Sequence, residues 1–356
     1  MIDFRYHLVS LISVFLALAV GIALGAGPLK ETIGDTLTGQ VDQLRAEKDE
    51  LRTQLDTATT DLANARSYVD AAGPALVDGV LTERRVAVVA LGEVPEAERT
   101  AVEERLTQSG AQVTARVTLT DAWFDPDLRS YRNALVGLVL ENLDPAPADD
   151  ATLDEQLAQA LVQGLTGADP ASPDALTADA ANVLAILSEG DNPMITLTDP
   201  VRTGADAVVV LAVPTEPATG DTATTPADED AEAVSYDAHV AVLRAAQDLS
   251  EGTVLVDGPR VAGSLVAAVL ADDALAPAIA TVSGADLVTG QVSVPLALAA
   301  RIAGTAGHYG FGDGETALPE RVALTPVDRT PVTVDPEQGT TPEGQATAAA
   351  TAGAGG

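Results

Sequence analysis

The chain has 356 residues, and Lys and Arg total 19 against 53 Asp and Glu, a formal charge of −34. Such an excess of acid repels nucleic acid and anionic headgroups, which excludes a nucleic-acid partner and leaves a solvated, aggregation-resistant surface as the plain reading. Cysteine is absent, which excludes disulfides, Cys-ligated metal centres and thiol nucleophiles, while hydrophobic residues at 46% suffice for a sizeable core of small aliphatic side chains.

From Leu8 to Leu29 the run LVSLISVFLALAVGIALGAGPL carries no charge. Its roughly 22 residues, at about 1.5 Å each, cross the ~30 Å hydrocarbon core of a bilayer. Ser10 and Ser13 can bond back to helix carbonyls, and Gly21, Gly25 and Gly27 leave a small-residue surface for another helix. A cleaved signal peptide competes, because Gly25, Ala26 and Gly27 suit a processing site. The long apolar run and Asp3 beside Arg5 in MIDFRYH favour an uncleaved single-pass anchor. Arg5 and the amino terminus, set against Lys30, orient the N-terminus to the cytoplasm and the body outside it.

Beyond Lys30 a heptad pattern begins: Leu37, Val41, Leu44, Lys48, Leu51, Leu55, Ala58, Leu62, Ala65 and Val69 alternate by four and three. Asp42, Arg45, Glu47, Asp49, Glu50 and Arg52 take the outer faces, the signature of a coiled-coil stalk. A helix from Lys30 to Asp70 would extend about 60 Å. Its partner is either a parallel copy or the second arm of a hairpin; Lys48 at an a position favours few strands, and a homodimer is expected. Gly73-Pro74 is expected to end the helix.

Arg85 to Leu91 (RVAVVAL) is a buried-strand run, followed by a turn and a helix from Glu96 to Gln108. Gln112 to Leu119, Ala207 to Val213 and Thr253 to Val256 read as further strands, with a helix from Ala238 to Leu249 before the last. Ala151 to Gly167 and Leu176 to Glu189 read as helices separated by the breakers Asp169 to Pro173. The fold class is therefore α/β: an N-terminal transmembrane helix and coiled-coil stalk followed by a mostly parallel-sheet α/β domain. The expected organisation is a cytoplasmic stub and anchor at 1–29, a stalk at 30–72 and an extracytoplasmic α/β domain at 80–325. An acidic Pro/Thr-rich insertion at 214–233 and a tail at 335–356 are expected to be disordered.

Chemistry is sparse along the chain. Leu91-Gly92-Glu93-Val94-Pro95 after the first strand lacks a phosphate-cradling glycine motif. Asp257 to Ser264 leaves the end of another strand, where Arg260 could meet an anion, against the plainer reading of a turn. The three histidines, His7, His239 and His308, form no catalytic order with Ser and Asp, and Trp123 is the only tryptophan, so no catalytic residues are assigned and no enzyme is expected. His308-Tyr309-Gly310-Phe311-Gly312-Asp313-Gly314-Glu315 is the most unusual stretch. His308, Asp313 and Glu315 could face one metal ion there, and the competing reading is a structural loop with a buried aromatic pair. Soft copper(I) ligands are confined to Met1 and Met194, whereas copper(II) could use His and carboxylate.

The opening block Met1 to Leu29, the leucine heptads, Ile279 to Ser283, Gln291 to Leu298 and Gly307 to Gly312 together resemble the MctB-type copper transporter family of actinobacteria, over roughly residues 1 to 314. The resemblance implies a membrane protein of the cell envelope that keeps intracellular copper low. It also implies pore formation, with copper as a transported ion and no tightly bound cofactor. The residues alone support a second reading, a non-catalytic envelope scaffold that presents its α/β domain to a cell-wall or division partner.

Overall fold

A computed structural model describes residues 4–26, 28–215 and 236–331. The expected disorder at 335–356, and at 214–233 apart from Pro214 and Thr215, lies outside the described residues. The chain divides between Tyr68 and Val69 into two units.

The first unit holds helix α1 (Phe4–Ala26) and most of helix α2 (Pro28–Val77). Among the described residues, α1 is the one helix long and apolar enough to cross a membrane by length and composition. Ser13 donates to the Val9 carbonyl at 2.8 Å, the back-bonding expected of a hydroxyl in an apolar helix. Along α2, one-turn pairs such as Gln43 with Glu47 and Arg45 with Asp42, both at 3.0 Å, support the helix.

Gly73-Pro74 does not end the heptad helix as expected, because α2 continues through Pro74 to Val77. A proline in a helix forfeits one backbone bond and crowds the preceding turn. Here the last turn is held by packing: Val77 is fully buried, and Asp70 pairs with the buried Arg105. Gly73 lets the Arg105 guanidinium lie close against the helix, since a Cβ there would stand 2.7 Å from it.

The second unit is built on a seven-stranded sheet. In chain order its strands are β1 (Arg85–Ala90), β2 (Gln112–Leu119), β5 (Ile195–Leu197), β6 (Ala207–Leu211), β7 (Thr253–Val256), β8 (Ala280–Val282) and β9 (His308–Tyr309). Their spatial order is β5-β2-β1-β6-β7-β8-β9, and every pairing is parallel except that of β5 with β2. The strands β1, β6 and β7 are buried throughout, which is why they read as continuous aliphatic runs rather than alternating ones.

Helices α3 (Glu96–Gln108) and α10 (Val288–Ile302) cover one face, packing on Val86, Val88, Val209 and Val254. The opposite face packs α4 (Asp121–Phe124), α5 (Arg129–Val139), α6 (Leu153–Thr166), α7 (Ala178–Ser188), α8 (Asp237–Asp248) and α9 (Leu265–Ala271) against Ala87, Val89, Val208 and Val210. This is a doubly wound sheet in which the chain reverses its direction of spread between β1 and β6. Trp123 is fully buried in the larger core. Asp169 to Pro173 forms, instead of a plain break, part of a small hairpin of β3 (Ala168–Asp169) and β4 (Ser172–Leu176).

Candidate functional site

In a doubly wound sheet ligands gather outside the carboxyl ends of the strands, at the point where the strand order reverses. Here that point lies between the ends of β1 and β6. Leu91 N–H bonds the Leu211 carbonyl at 2.9 Å, and a Cβ on Gly92 (φ 152°) would stand 2.8 Å from the Val213 side chain. Val213, 46% exposed, is the aliphatic side chain nearest Gly92 at this point.

Charge collects instead along the neighbouring strand ends. Asp257, immediately after β7, is 1% exposed. Its two carboxylate oxygens accept from Gly258 N–H at 2.7 Å and Val266 N–H at 3.1 Å. Ser264 accepts from Ala267 N–H at 3.2 Å, so both ends of the Asp257 to Ser264 segment serve to start α9. Burial raises the Asp257 carboxyl above its ordinary range against these backbone bonds. Glu98, in the first turn of α3, is raised by burial first and then by the charges of Asp286 and Asp257, and one of its oxygens is buried without a partner. The arrangement is one of crowded carboxylates and suits a cation or a proton rather than an anion.

The His308 to Glu315 stretch lies beside this edge and is more ordered than the loop the glycines suggested. His308 and Tyr309 form the edge strand β9 on β8, with Thr281 opposite His308. The Thr281 hydroxyl lies 3.0 Å from His308 Nδ1. Burial lowers the His308 pKa, while Glu315 and a hydrogen bond to the Ala276 backbone act the other way. One Glu315 oxygen accepts from the Ser283 hydroxyl at 2.9 Å and from Gly312 N–H at 2.7 Å; the other is buried without a partner. Arg260 donates to the Asp313 backbone carbonyl, so its guanidinium clamps this turn. A Cβ on Gly310 (φ 155°) would overlap Ser283 Oγ at 2.0 Å, so the turn closes only with glycine. The expected buried aromatic pair is half correct: Tyr309 is buried, but Phe311 is 70% exposed because it follows the last strand residue out of the sheet. Among the described residues, no group of three or more His, Asp and Glu is arranged to hold a metal ion.

His7 is exposed on α1. His239 stacks on Phe124 at 4.4 Å and meets Tyr236 edge-on at 5.8 Å. Burial lowers its pKa, and its Nδ1 has no partner. The sequence reading missed Glu98, Asp286 and Ser283. Each follows a strand at its carboxyl end, and that position was the available signal.

A family model described as copper transport outer membrane protein, MctB, matches residues 1–319. The chain is 31% identical over 324 residues to the copper transporter MctB of Mycobacterium tuberculosis and of Mycobacterium bovis. It is 32% identical over 330 residues to that of Mycobacterium leprae. Each match spans 89% of this chain and 99% of the relative.

Proposed function

Because the chain belongs to the MctB family, we propose that it is a membrane-anchored cell-envelope protein that limits intracellular copper. The observation that carries this reading is collinearity. The match runs from the apolar first helix through the heptads to the His308 turn and takes in nearly the whole of each relative named as a copper transporter. We assign it no catalytic step.

In this reading α1, within 1–29, anchors the protein with its N-terminus in the cytoplasm, and residues 30–72 form a self-associating coiled-coil stalk. Residues 80–325 form an extracytoplasmic α/β domain. The alternating heptads and exposed leucines of α2 support the stalk. Copper is cargo rather than a resident cofactor. Met194 is fully buried, so a copper(I) thioether route is not available there. If copper passes through a helix-lined pore, the single membrane-length apolar helix among the described residues requires an oligomer.

Because His308, Asp313 and Glu315 do not form a three-ligand group, our proposed contact for copper(II) is His308 aided by Glu315. Support comes from the electrostatic influence of Glu315 on His308 and from the unpartnered Glu315 oxygen. An ion there would displace the Thr281 or Ala276 bond to the imidazole, so the contact is weak and exchangeable, as transport requires.

The test is a deletion strain complemented with the full chain or with His308→Ala, with cell-associated copper and growth measured across a copper series. The reading expects copper to accumulate in the deletion, to return to the wild-type level with the full chain, and to stay raised with the variant. Unchanged copper together with abnormal cell separation would replace the transport reading with that of an envelope scaffold. Full rescue by His308→Ala would remove that residue from the route.

A further inference from the structure

Leu37, Val41, Leu44, Leu51, Leu55 and Leu62 lie along α2 with exposures between 43% and 66%. An apolar stripe of this length on a helix bathed in water calls for a partner. Among the described residues no other helix of the chain can be that partner. The next longest outside the anchor is α10, with 15 residues, and its apolar side chains are buried against the sheet. Among the described residues a hairpin within the chain is thereby removed, and we take a second copy of α2 as the partner.

The polar residues flanking the stripe distinguish the two orientations such a pair could take. With Leu37, Leu44 and Leu51 at d and Val41, Lys48, Leu55 and Leu62 at a, the g positions before Lys48 and Leu62 carry Glu47 and Asp61. The e positions after Leu44, Leu51 and Ala65 carry Arg45, Arg52 and Arg66. In a parallel, in-register pair each g residue faces the e residue of the following heptad on the other helix. Glu47 then meets Arg52, and Asp61 meets Arg66, on both sides of the seam. In an antiparallel pair g faces g and e faces e, which sets acid against acid and arginine against arginine.

The arginines are free to reach across. Arg45 and Arg52 make only one-turn contacts to Asp42 at 3.0 Å and Asp49 at 3.9 Å, and their side chains are 72% and 66% exposed. A β-branched residue and a lysine at a, with leucine at d, select two strands over three or four. We propose that the stalk is a parallel, in-register two-stranded coiled coil of two copies of this chain, its orientation set by the Glu47–Arg52 and Asp61–Arg66 pairs. The inference rests on the self-association assigned to the stalk above. It adds partner number, direction and register, and it brings two anchors into the membrane from the same side.

Because the natural chain has no cysteine, the test has no background. Leu37→Cys, Leu44→Cys and Leu51→Cys are made singly in the full-length protein, with Thr53→Cys on the outer face as control, and each is treated in native membranes with a short bis-maleimide. A parallel register cross-links all three at about tenfold the control yield, because each d residue faces its own copy. Cross-linking at one of the three alone would establish an antiparallel pair and overturn the proposal while leaving self-association intact. Cross-linking at none, with a monomeric mass in detergent, would overturn both. Glu47→Arg should lower the Leu44→Cys yield severalfold, and adding Arg52→Glu to the same chain should restore it. An unchanged yield in both would remove the charge pairs as the cause. Copper accumulation in the same strains reads the transport proposal separately.

Discussion

At the scale of single residues, the carboxylates at the strand ends differ in their hydrogen-bond partners. Asp257 holds two backbone N–H groups that would otherwise be buried unpaired, and Asp257→Asn would turn an amide N–H₂ toward one of them. We expect that variant to lose about 1–3 kcal/mol of stability in urea unfolding, the penalty of one buried polar group left unsatisfied. Glu98 has a buried oxygen without a partner, and its pKa is raised above 4.5 by burial and by Asp286 and Asp257. The folded state therefore holds a proton that the unfolded chain has lost, and stability falls as pH rises through the window that opens at 4.5. Glu98→Gln should raise the melting temperature at neutral pH and flatten its slope above that window; an unchanged slope would contradict the assignment. His239 is held neutral by burial, so the fold loses stability as pH falls below 6.5, and His239→Phe should remove that loss while keeping the stack on Phe124.

At the scale of elements, the sheet follows from the sequence wherever an element carries its own signal. The helix at Glu96 to Gln108 and the strands at Gln112 to Leu119 and Thr253 to Val256 have the bounds their patterns predict. The strands β5, β8 and β9 have three, three and two residues, too short to show a period, and they exist because longer neighbours offer them an edge. The continuation of α2 past Pro74 is a similar case, in which burial of Val77 outweighs a local breaker. Close approach also governs α10. A Cβ on Gly290 would stand 2.1 Å from the Gly284 carbonyl, so Gly290→Ala must push the helix start off the β8 end. The expected cost is about 1–3 kcal/mol, read as a lowered unfolding midpoint in the body.

At the scale of the whole molecule, the membrane assignment and the acidic surface are the properties that direct the biology. The chain should sediment with membranes and resist alkaline carbonate extraction. Leu16→Arg together with Val20→Arg, placed in the middle of α1, should release it, each charge costing about 2.5–3.5 kcal/mol at mid-bilayer. The distal segment ties back to the amino edge of the sheet: Arg329 donates to both Asp206 oxygens at 2.6 and 3.1 Å, and Arg321 donates to the Asp78 carbonyl at 2.6 Å. Truncation after Leu318 should therefore lower the melting temperature of the body by about 5 °C.

The sequence by itself determined the long apolar first helix, the heptad stripe and the alternation of buried strands with helices, because the physical cause of each pattern is local. It also determined that no thiol chemistry operates. Tertiary structure alone decided that Val213 lies beside Gly92 at the strand-order reversal, that the exposed Arg260 donates to the Asp313 carbonyl, and that the Glu98 carboxyl feels the charges of Asp257 and Asp286. Those facts depend on residues far apart in the chain meeting at the carboxyl ends of parallel strands, and no window of sequence carries the crossovers that bring them together.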